Sequence, residues 1–355
     1  MSREAILRKF KVAQLTQLAF LCGEKTSGSK QDIVERLIAI KNHGLLGGSS
    51  TPKNQHLILS IDMGIRNLGY SLLAPAQPPM SPTLPTLSTL GADDLRQPMR
   101  VHLHAWQRRE LLDPLLDNLD DPERYSPASL AIAADRLVRQ DLLPLKPTHI
   151  LIERQRWRSG GAAAVQEWTL RVNTLEAMLH ASLRTLRELG QWDGEIVSVA
   201  PDRVTRFFPP PPPVTATSEE SSQDSGGRSA KGVVAKVREE AKSQPNSKKH
   251  KISVLASWLT RERGSEVILP ANRGVEDAVK QFRTKLAGGR RSRVKKPIED
   301  EIPKKLDDLT DSLLQGVAWL KWQENKTLIL RDEELAELAN WDSRAKKPRS
   351  FFGDV

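Results

Sequence analysis

The sequence contains few of the features that mark secreted or membrane proteins. Cys22 is the only cysteine among 355 residues, so no disulfide can form within the chain. Neither this cysteine nor the seven histidines have the spacing of a zinc site, so we expect any metal to be held by carboxylates. No apolar run approaches the roughly 18 residues of a transmembrane helix, so we expect no membrane partner. Together these absences favour a reducing compartment.

Positive charge is abundant, and it is concentrated in one stretch. The chain has 54 Lys and Arg against 44 Asp and Glu, a formal net charge of +10. Residues 228–305 alone hold 21 Lys and Arg against 9 Asp and Glu, a difference of +12. Such an excess suits a polyanionic partner and predicts a surface that meets phosphate groups.

Residues 1–43 have the pattern of two amphipathic helices joined by a Gly/Ser turn. Apolar residues recur at helical spacing on both sides of the turn, and Gly28 and Lys30 lie in the turn itself. The pattern resembles the SAP motif, a short DNA-binding helical module, and this resemblance implies that Lys30 contacts DNA. A generic helical hairpin is the alternative. Residues 44–54 are rich in Gly, Ser and Pro, which predicts a linker.

From residue 55 to residue 345 the pattern predicts one α/β domain. Apolar runs predict strands, which fall at 56–64, 67–75, 101–107, 148–155 and 194–201. Helical periodicity is found at 126–141, 163–189, 252–260, 306–322 and 332–341. Three antiparallel strands followed by alternating helices and strands are the order of the RNase H-like fold. We therefore expect a mixed five-stranded sheet flanked by helices.

Two segments of this domain are predicted to lack regular structure. Residues 209–249 open with five prolines and continue through Ser, Gly, Gln and charged residues, a composition too polar to bury a core. We interpret this segment as a disordered insertion. Residues 283–305 are basic and contain Gly, which predicts a loop.

Two strands end in acidic residues that could bind a metal ion. Asp62 closes the apolar run HLILSID and is followed by Gly64, a pattern that is also typical of a simple turn. Glu153 closes the apolar run ILIE, where an ion pair with a neighbouring arginine is the alternative. Each pattern alone is a weak indication of a site.

The helix predicted from residue 306 supplies the third acidic element. Asp311 lies three residues after Asp308 and four after Asp307, so it shares a helix face with either. Acids that are simply favoured in the first turn by the helix dipole are the alternative interpretation. The spacing leaves the choice between Asp307 and Asp308 open.

The three segments together resemble a known enzyme family. SIDMGIRNLGYSLL, ILIERQRWRSG and KKLDDLTDSLLQ are similar to motifs of the fungal mitochondrial Holliday junction resolvases, relatives of bacterial RuvC. The resemblance spans roughly residues 55–325, and SAP-like beginnings also occur in that family. The long insertion at 209–249 departs from the family pattern.

The resemblance implies a catalytic and metal-binding role for Asp62, Glu153, Asp311 and either Asp308 or Asp307. It implies two Mg²⁺ ions per active site, with Mn²⁺ able to substitute, and no small-molecule cofactor. Two such ions activate a water molecule and stabilise the leaving 3′ oxygen, which leaves a 5′ phosphate. A four-way junction has two-fold symmetry, so we expect a homodimer that makes paired cuts. The resemblance also implies the mitochondrial matrix, although we interpret the basic first residues as folded protein.

Basic residues around these motifs are the candidate DNA contacts. Arginines interleaved with Gln and Trp can clamp phosphates and stack on unpaired bases, although a core tryptophan is the alternative. A second basic run is either a solvated loop or a junction contact, and two lysines lead directly into the metal helix. The residues are Arg154, Gln155, Arg156, Trp157 and Arg158, then Arg290, Arg291 and Arg293, then Lys304 and Lys305.

Other functions fit part of the pattern. A nuclease or strand transferase of the same fold that acts on another nucleic acid would need the same acids. A non-catalytic SAP protein that binds branched DNA as a scaffold would not need them. The acids at all expected positions favour an enzyme.

Overall fold

The computed structural model describes residues 2–40, 56–76, 94–112, 122–155, 166–208, 247–260, 266–288, 306–329, 331, 333, 335 and 336. Within these ranges the strands are β1 (Ile58–Asp62), β2 (Leu68–Pro75), β3 (Val101–Arg109), β4 (His149–Glu153), β5 (Glu195–Val199) and β6 (Ile268–Pro270). The helices are α1 (Arg3–Leu7), α2 (Val12–Leu21), α3 (Lys30–Ile38), α4 (Pro127–Arg136), α5 (Glu167–Glu188), α6 (Pro201–Phe207), α7 (Ser247–Leu259), α8 (Arg273–Gly288) and α9 (Asp307–Ile329).

The strands form a single mixed sheet in the order β5-β4-β1-β2-β3-β6. β1, β2 and β3 pair as an antiparallel meander, β4 and β5 run parallel to β1, and β6 runs parallel to β3. The α/β class and the order of the first five strands agree with the prediction, but the sheet has six strands and not five. The sequence pattern missed β6 because three residues ending in proline are too short to show periodicity.

Helices cover both faces of the sheet, as the alternation of side chains along β1 requires. Leu59 and Ile61 face the hydrophobic cluster beneath α4 and α5. Ile58 faces the opposite cluster, which contains α6, α7, α8 and α9. Ser60 points to the same side as Ile58 and meets α9. Successive residues of a strand point to opposite faces, so a central strand covered on both sides reads as a nearly continuous apolar run.

Helix α9 packs closely against the middle of the sheet. Gly316 makes this possible, because a Cβ atom there would lie 2.4 Å from Leu73 Cδ1. The neighbouring Gln315 Nε2 donates to Ser60 Oγ at 3.0 Å and to Ile61 O at 3.2 Å. These contacts fix the position of α9 on the sheet relative to β1.

Several predicted boundaries of regular structure were wrong. The predicted start of the basic loop, at residue 283, is too early, because α8 continues to Gly288. Helix α7 begins at Ser247, so the last three residues of the predicted disordered insertion at 209–249 are helical. Helix α9 continues seven residues past the predicted end at 322. The linker at 44–54 and residues 209–246 lie outside the described residues.

The N-terminal unit has three helices, not two, and it packs against the end of α9. Its apolar side chains share a cluster with Leu328 and Ile329 of α9. Asn325 Nδ2 donates to Leu21 O at 2.8 Å, and Lys326 pairs with Glu24 at 2.9 Å. Whatever the length of the linker, the unit therefore contacts the α/β domain directly.

Candidate active site

Two of the predicted acids lie side by side at one edge of the sheet. β1 and β4 are parallel neighbours in which Ile61 pairs with Ile152, so the next residues, Asp62 and Glu153, end the two strands side by side. Both side chains are only partly exposed, and their carboxyl groups share a hydrogen bond. The carboxyl ends of adjacent parallel strands thus bring together residues that are 91 positions apart, a separation that the sequence alone does not bridge.

Helix α9 brings the other acids to the same place. Its first turn lies against β2, where a Cβ atom on Gly69 would be 2.3 Å from Asp308 O. Gly69 is the pairing partner of Asp62 in β2, so this close approach sets the start of α9 beside Asp62. The charges of Asp308 and Asp311 act on Asp62, and that of Glu153 acts on Asp311.

Asp307 pairs with α7 and does not line the cleft, although its charge acts on Asp311. Its Oδ2 accepts from Lys248 Nζ at 2.7 Å, and the lysine side chain is 69% exposed. Asp308 instead lines a cleft beside the turn that follows Asp62. The geometry therefore favours Asp308 over Asp307 as the fourth acid, the choice that the sequence left open.

Burial and the charges of neighbouring acids raise the pKa of two of these carboxyl groups, those of Asp62 and Asp311. Burial is the main cause that raises the pKa of Asp62 well above its ordinary value, and the hydrogen bond and charge of Glu153 raise it further. Burial also raises the pKa of Asp311, although the Lys251 ammonium opposes this shift. Carboxyl groups whose pKa values are raised for these reasons are typical of functional sites, and a bound cation would favour their ionised forms.

A lysine that the sequence interpretation missed belongs to the site. Lys251 Nζ donates to Asp311 Oδ2 at 2.9 Å, and both side chains are mostly buried. Lys248 lies one helical turn earlier on α7 and pairs with Asp307. The i, i+3 spacing of the two lysines in the segment SKKHK was the available signal, but nothing local showed that this segment faces α9.

The oxygen atoms present suit a hard divalent cation such as Mg²⁺. Asp311 Oδ1 is buried and, among the described residues, has no hydrogen-bond partner. In the conformation described, no three His, Cys, Asp or Glu side chains of the described ranges are arranged to enclose an ion. Binding would therefore require a small shift of these side chains, with Asp311 released from Lys251 or shared with it.

The structure describes only part of the predicted DNA-binding set. Arg154 follows Glu153 directly and is exposed, while its backbone N–H donates to Val199 O at 2.8 Å. The backbone N–H of Gln155 donates to Glu176 Oε2 at 3.0 Å, which ties this segment to α5. The other candidates of these basic runs lie outside the described residues, namely Arg156, Trp157, Arg158, Arg290, Arg291, Arg293, Lys304 and Lys305.

Lys30 lies far from the acids. It is the first residue of α3, and its Nζ donates to Arg8 O at 2.8 Å. The N-terminal unit contacts α9 between Trp322 and Ile329, roughly 17 to 27 Å along the helix axis from Asp311 at a rise of about 1.5 Å per residue. Any DNA contact made by Lys30 would therefore be remote from the acidic cluster.

A cleft of about 370 Å³ opens beside the acids. Its walls include Asp308, the turn from Met63 to Asn67, and Trp168 in the first turn of α5. The sequence interpretation did not single out Arg66 or Trp168, because they lie 102 positions apart in the chain and no local pattern shows their proximity.

No helix in the described part of the chain is long and apolar enough to cross a membrane.

Comparison with known proteins gives consistent matches. A family model described as mitochondrial resolvase Ydc2 / RNA splicing MRS1 matches residues 58–329. The mitochondrial cruciform cutting endonuclease 1 of Schizosaccharomyces pombe (strain 972 / ATCC 24843) is 28% identical over 171 residues, which are 48% of this chain and 54% of that protein. The chain thus matches about half the length of this curated relative.

A solved structure supports the fold. The crystal structure of the yeast mitochondrial Holliday junction resolvase Ydc2 matches with a TM-score of 0.50 and 21% sequence identity, covering 94% of this chain and 98% of that chain. This likeness confirms the predicted RNase H-like α/β fold.

Proposed function

Because the chain belongs to the mitochondrial resolvase Ydc2 / RNA splicing MRS1 family, we propose that it is a mitochondrial, metal-dependent endonuclease that cuts four-way DNA junctions. One observation carries this proposal. Asp62, Glu153, Asp308 and Asp311 converge from two strands and one helix on a single place. Such a cluster is costly in a protein that does not use it, because like charges that share a partly buried site repel each other.

The proposed metal ligands are Asp62, Glu153, Asp308 and Asp311, with Mg²⁺ as the natural ion and Mn²⁺ as a substitute. When bound, a pair of divalent cations lowers the pKa of an attacking water molecule and neutralises charge on the leaving 3′ oxygen. The product would carry a 5′ phosphate. As a ligand Asp62 would be ionised, and the bound cations would offset the burial and the neighbouring acidic charge that raise its pKa.

Other side chains of the site would act on the DNA backbone. Arg154 follows Glu153 directly and is exposed, which supports a contact between its guanidinium and the DNA backbone near the acids. Lys251 offsets negative charge at Asp311 and thereby reduces repulsion between the acids and the incoming DNA. Two copies of the chain would make the paired cuts that resolve a two-fold symmetric junction.

A second candidate function follows from the other half of the family description, a role in RNA splicing. Such a role, like that of a DNA-binding scaffold, needs a basic surface but no clustered acids. The raised pKa of Asp62 and of Asp311 argues for the nuclease, because a binding protein gains nothing from this cost.

The test is cleavage of an end-labelled four-way junction and of a duplex with the same sequence, each with Mg²⁺, with Mn²⁺ and with a chelator. We expect paired cuts in the junction only, dependent on the metal, and ligatable products. Binding of the junction without cutting under all conditions would support the scaffold. Equal cutting of the duplex or of structured RNA would support a nuclease with another substrate.

A further inference from the structure

An aromatic and cationic cluster lies at the mouth of the cleft, outside the acids. Trp168 is 42% exposed, which is high for an indole in a folded domain. The Arg66 guanidinium lies 5.8 Å from the centre of the Trp168 ring and 6.0 Å from that of Tyr125. The Trp168 and Tyr125 rings meet edge to face, with their centres 5.8 Å apart.

Hydrogen bonds to Tyr125 hold the Arg66 guanidinium in this position. Its Nε and one terminal nitrogen donate to Tyr125 Oη at 3.0 and 2.8 Å. The Arg171 guanidinium lies 4.0 Å from the centre of the same Tyr125 ring. Tyr125 is buried, whereas Arg66 and Trp168 are exposed. The buried tyrosine therefore holds two planar groups, the guanidinium and the indole, at the surface. A planar cation and an indole held in place lose little conformational entropy when they bind.

The cluster shares the cleft with the proposed metal site. Arg66, Trp168 and Asp308 line the same space of about 370 Å³, which is within the size range of pockets for small organic groups. Arg66 is four residues beyond Asp62 in the turn between β1 and β2. A group that enters the cleft would therefore be directly beside the acids.

We propose that this cleft binds one unpaired nucleobase of the branched DNA, stacked on Trp168 and contacted by Arg66, next to the phosphate that is cut. The inference rests on the proposed function and adds to it the feature of the substrate that is recognised. Bases within a duplex have both faces covered by their neighbours, whereas a base at a branch point can present a face to an indole. The cleft thus distinguishes a junction from a duplex by stacking and not by charge.

The first test measures binding of the full chain to a four-way junction and to the matched duplex in a chelator, so that no cutting occurs. Trp168→Ala should weaken junction binding by about 5- to 150-fold, the range for loss of one stacked base. Duplex binding should change by less than about 2-fold, because contacts with phosphates remain. Trp168→Phe should keep most of the affinity, and Trp168→Leu should behave like Trp168→Ala, since leucine retains apolar area but has no ring.

A matched control is available on the same helix. Leu170 is 45% exposed, similar to Trp168, but it does not line the cleft. Leu170→Ala should leave the affinity for both DNAs unchanged. If it weakened junction binding as much as Trp168→Ala did, the exposed apolar surface of α5 in general would be responsible, and the proposal would be wrong.

A second measurement locates the base directly. 5-Iododeoxyuridine placed at the branch point should crosslink to Trp168 on irradiation, as shown by mass spectrometry of the digested complex. The same nucleotide in the duplex should not crosslink there. If Trp168 were only structural, Trp168→Ala would lower the thermal stability, and the wild-type complex would not give this crosslink.

The outcomes separate the two proposals. If the wild-type chain shows no preference for the junction, the proposed function fails before the cleft is tested. If it prefers the junction, but Trp168→Ala keeps that preference and the crosslink maps elsewhere, only the stacking cleft is wrong.

Discussion

Lys251 and Asp311, 60 residues apart in the chain, form an ion pair inside the acidic cluster, with Nζ 2.9 Å from Oδ2. The side chains are 15% and 25% exposed, so solvent screens the pair only partly. The lysine charge lowers the pKa of Asp311, which burial raises. Without a metal ion, this pair is what makes an ionised Asp311 tolerable.

Removing Lys251 should destabilise the metal-free protein in a pH-dependent manner. Lys251→Ala leaves a buried carboxylate without its partner, which should lower the free energy of unfolding by about 1–3 kcal/mol at neutral pH. The loss should shrink as the pH falls through the raised pKa of Asp311, because a protonated carboxyl needs no cation. Urea unfolding at several pH values measures this change.

Lys248→Ala is the matched control for Lys251. Its pair with Asp307 is formed by a lysine that is 69% exposed, so the change should cost no more than about 1 kcal/mol. Equal losses for the two variants, or a loss for Lys251→Ala that does not depend on pH, would mean that the ion pair is not what stabilises Asp311.

Asp62→Asn should abolish cutting and leave junction binding intact. Loss of a metal ligand should slow cleavage by about 10³-fold or more, since ions of this kind contribute several kcal/mol to transition-state stabilisation. Glu153→Gln and Asp311→Asn should behave alike. Gel-shift and cleavage assays on the same preparation measure both properties, and retained turnover would remove the residue from the mechanism.

The same variant should be more stable than the wild type when no metal is present. Burial and nearby acids raise the pKa of Asp62, so its ionisation costs stability. This cost is absent below the ordinary pKa of an aspartate, about 3.9, and grows until the pH passes the raised value. Asp62→Asn should therefore raise the Tm at neutral pH but not at pH 3, and Mg²⁺ should stabilise only the wild type.

Asp308→Asn and Asp307→Asn should differ sharply. Asp308 acts on Asp62 and lines the cleft, so its loss should reduce cutting by about 10³-fold, as for the other ligands. Asp307 faces the exposed Lys248, so its change should alter the rate by less than about 5-fold. The opposite result in a cleavage assay would exchange their roles.

Gln315→Met should reduce both stability and cutting. Gln315 is 3% exposed, and its amide joins α9 to Ser60 and Ile61 of β1, so its removal leaves buried polar groups unsatisfied at a cost of about 1–3 kcal/mol. Because α9 carries Asp308 and Asp311, the cutting rate at a temperature where the variant is fully folded should also fall.

Gln323→Met is the control for this change, because Gln323 is a buried glutamine of the same helix that lies about two turns farther from the acids. It should lower stability without slowing the cut. A Gln315→Met variant with a normal rate would show that the hydrogen bonds stabilise the helix but do not position the acids.

The docking of the N-terminal unit should depend on Gly23. This residue has φ +69, and a Cβ atom there would lie 2.3 Å from Trp322 Cδ2. Gly23→Ala should therefore destabilise the protein by about 2–4 kcal/mol, the sum of left-handed strain and a clash. Gly190 has φ +68 but nothing within 4 Å of the added atom, so Gly190→Ala should cost only about 1–2 kcal/mol. Denaturant unfolding compares the two, and equal costs would mean that Trp322 moves aside freely.

The sequence determined the class of the fold and indicated the first candidates for the site. The strands β1 and β4 are covered on both faces, so they appear as apolar runs, and the acids that close these runs made Asp62 and Glu153 candidates once the three motifs were taken together. Local periodicity also gave α5 and the start of α9 to within a few residues. These features depend on neighbours in the chain, which is why a pattern can report them.

Only the tertiary structure decided which other groups join these acids. The choice between Asp308 and Asp307 depends on how α9 rests on Gly69, and the place of Lys251 depends on how α7 packs against α9. Arg66 and Trp168 meet because the β1–β2 turn and the start of α5 reach the same edge of the sheet. Each of these contacts joins residues far apart in the chain, and its direction is set by packing rather than by local preference, so no pattern within a single segment contains it.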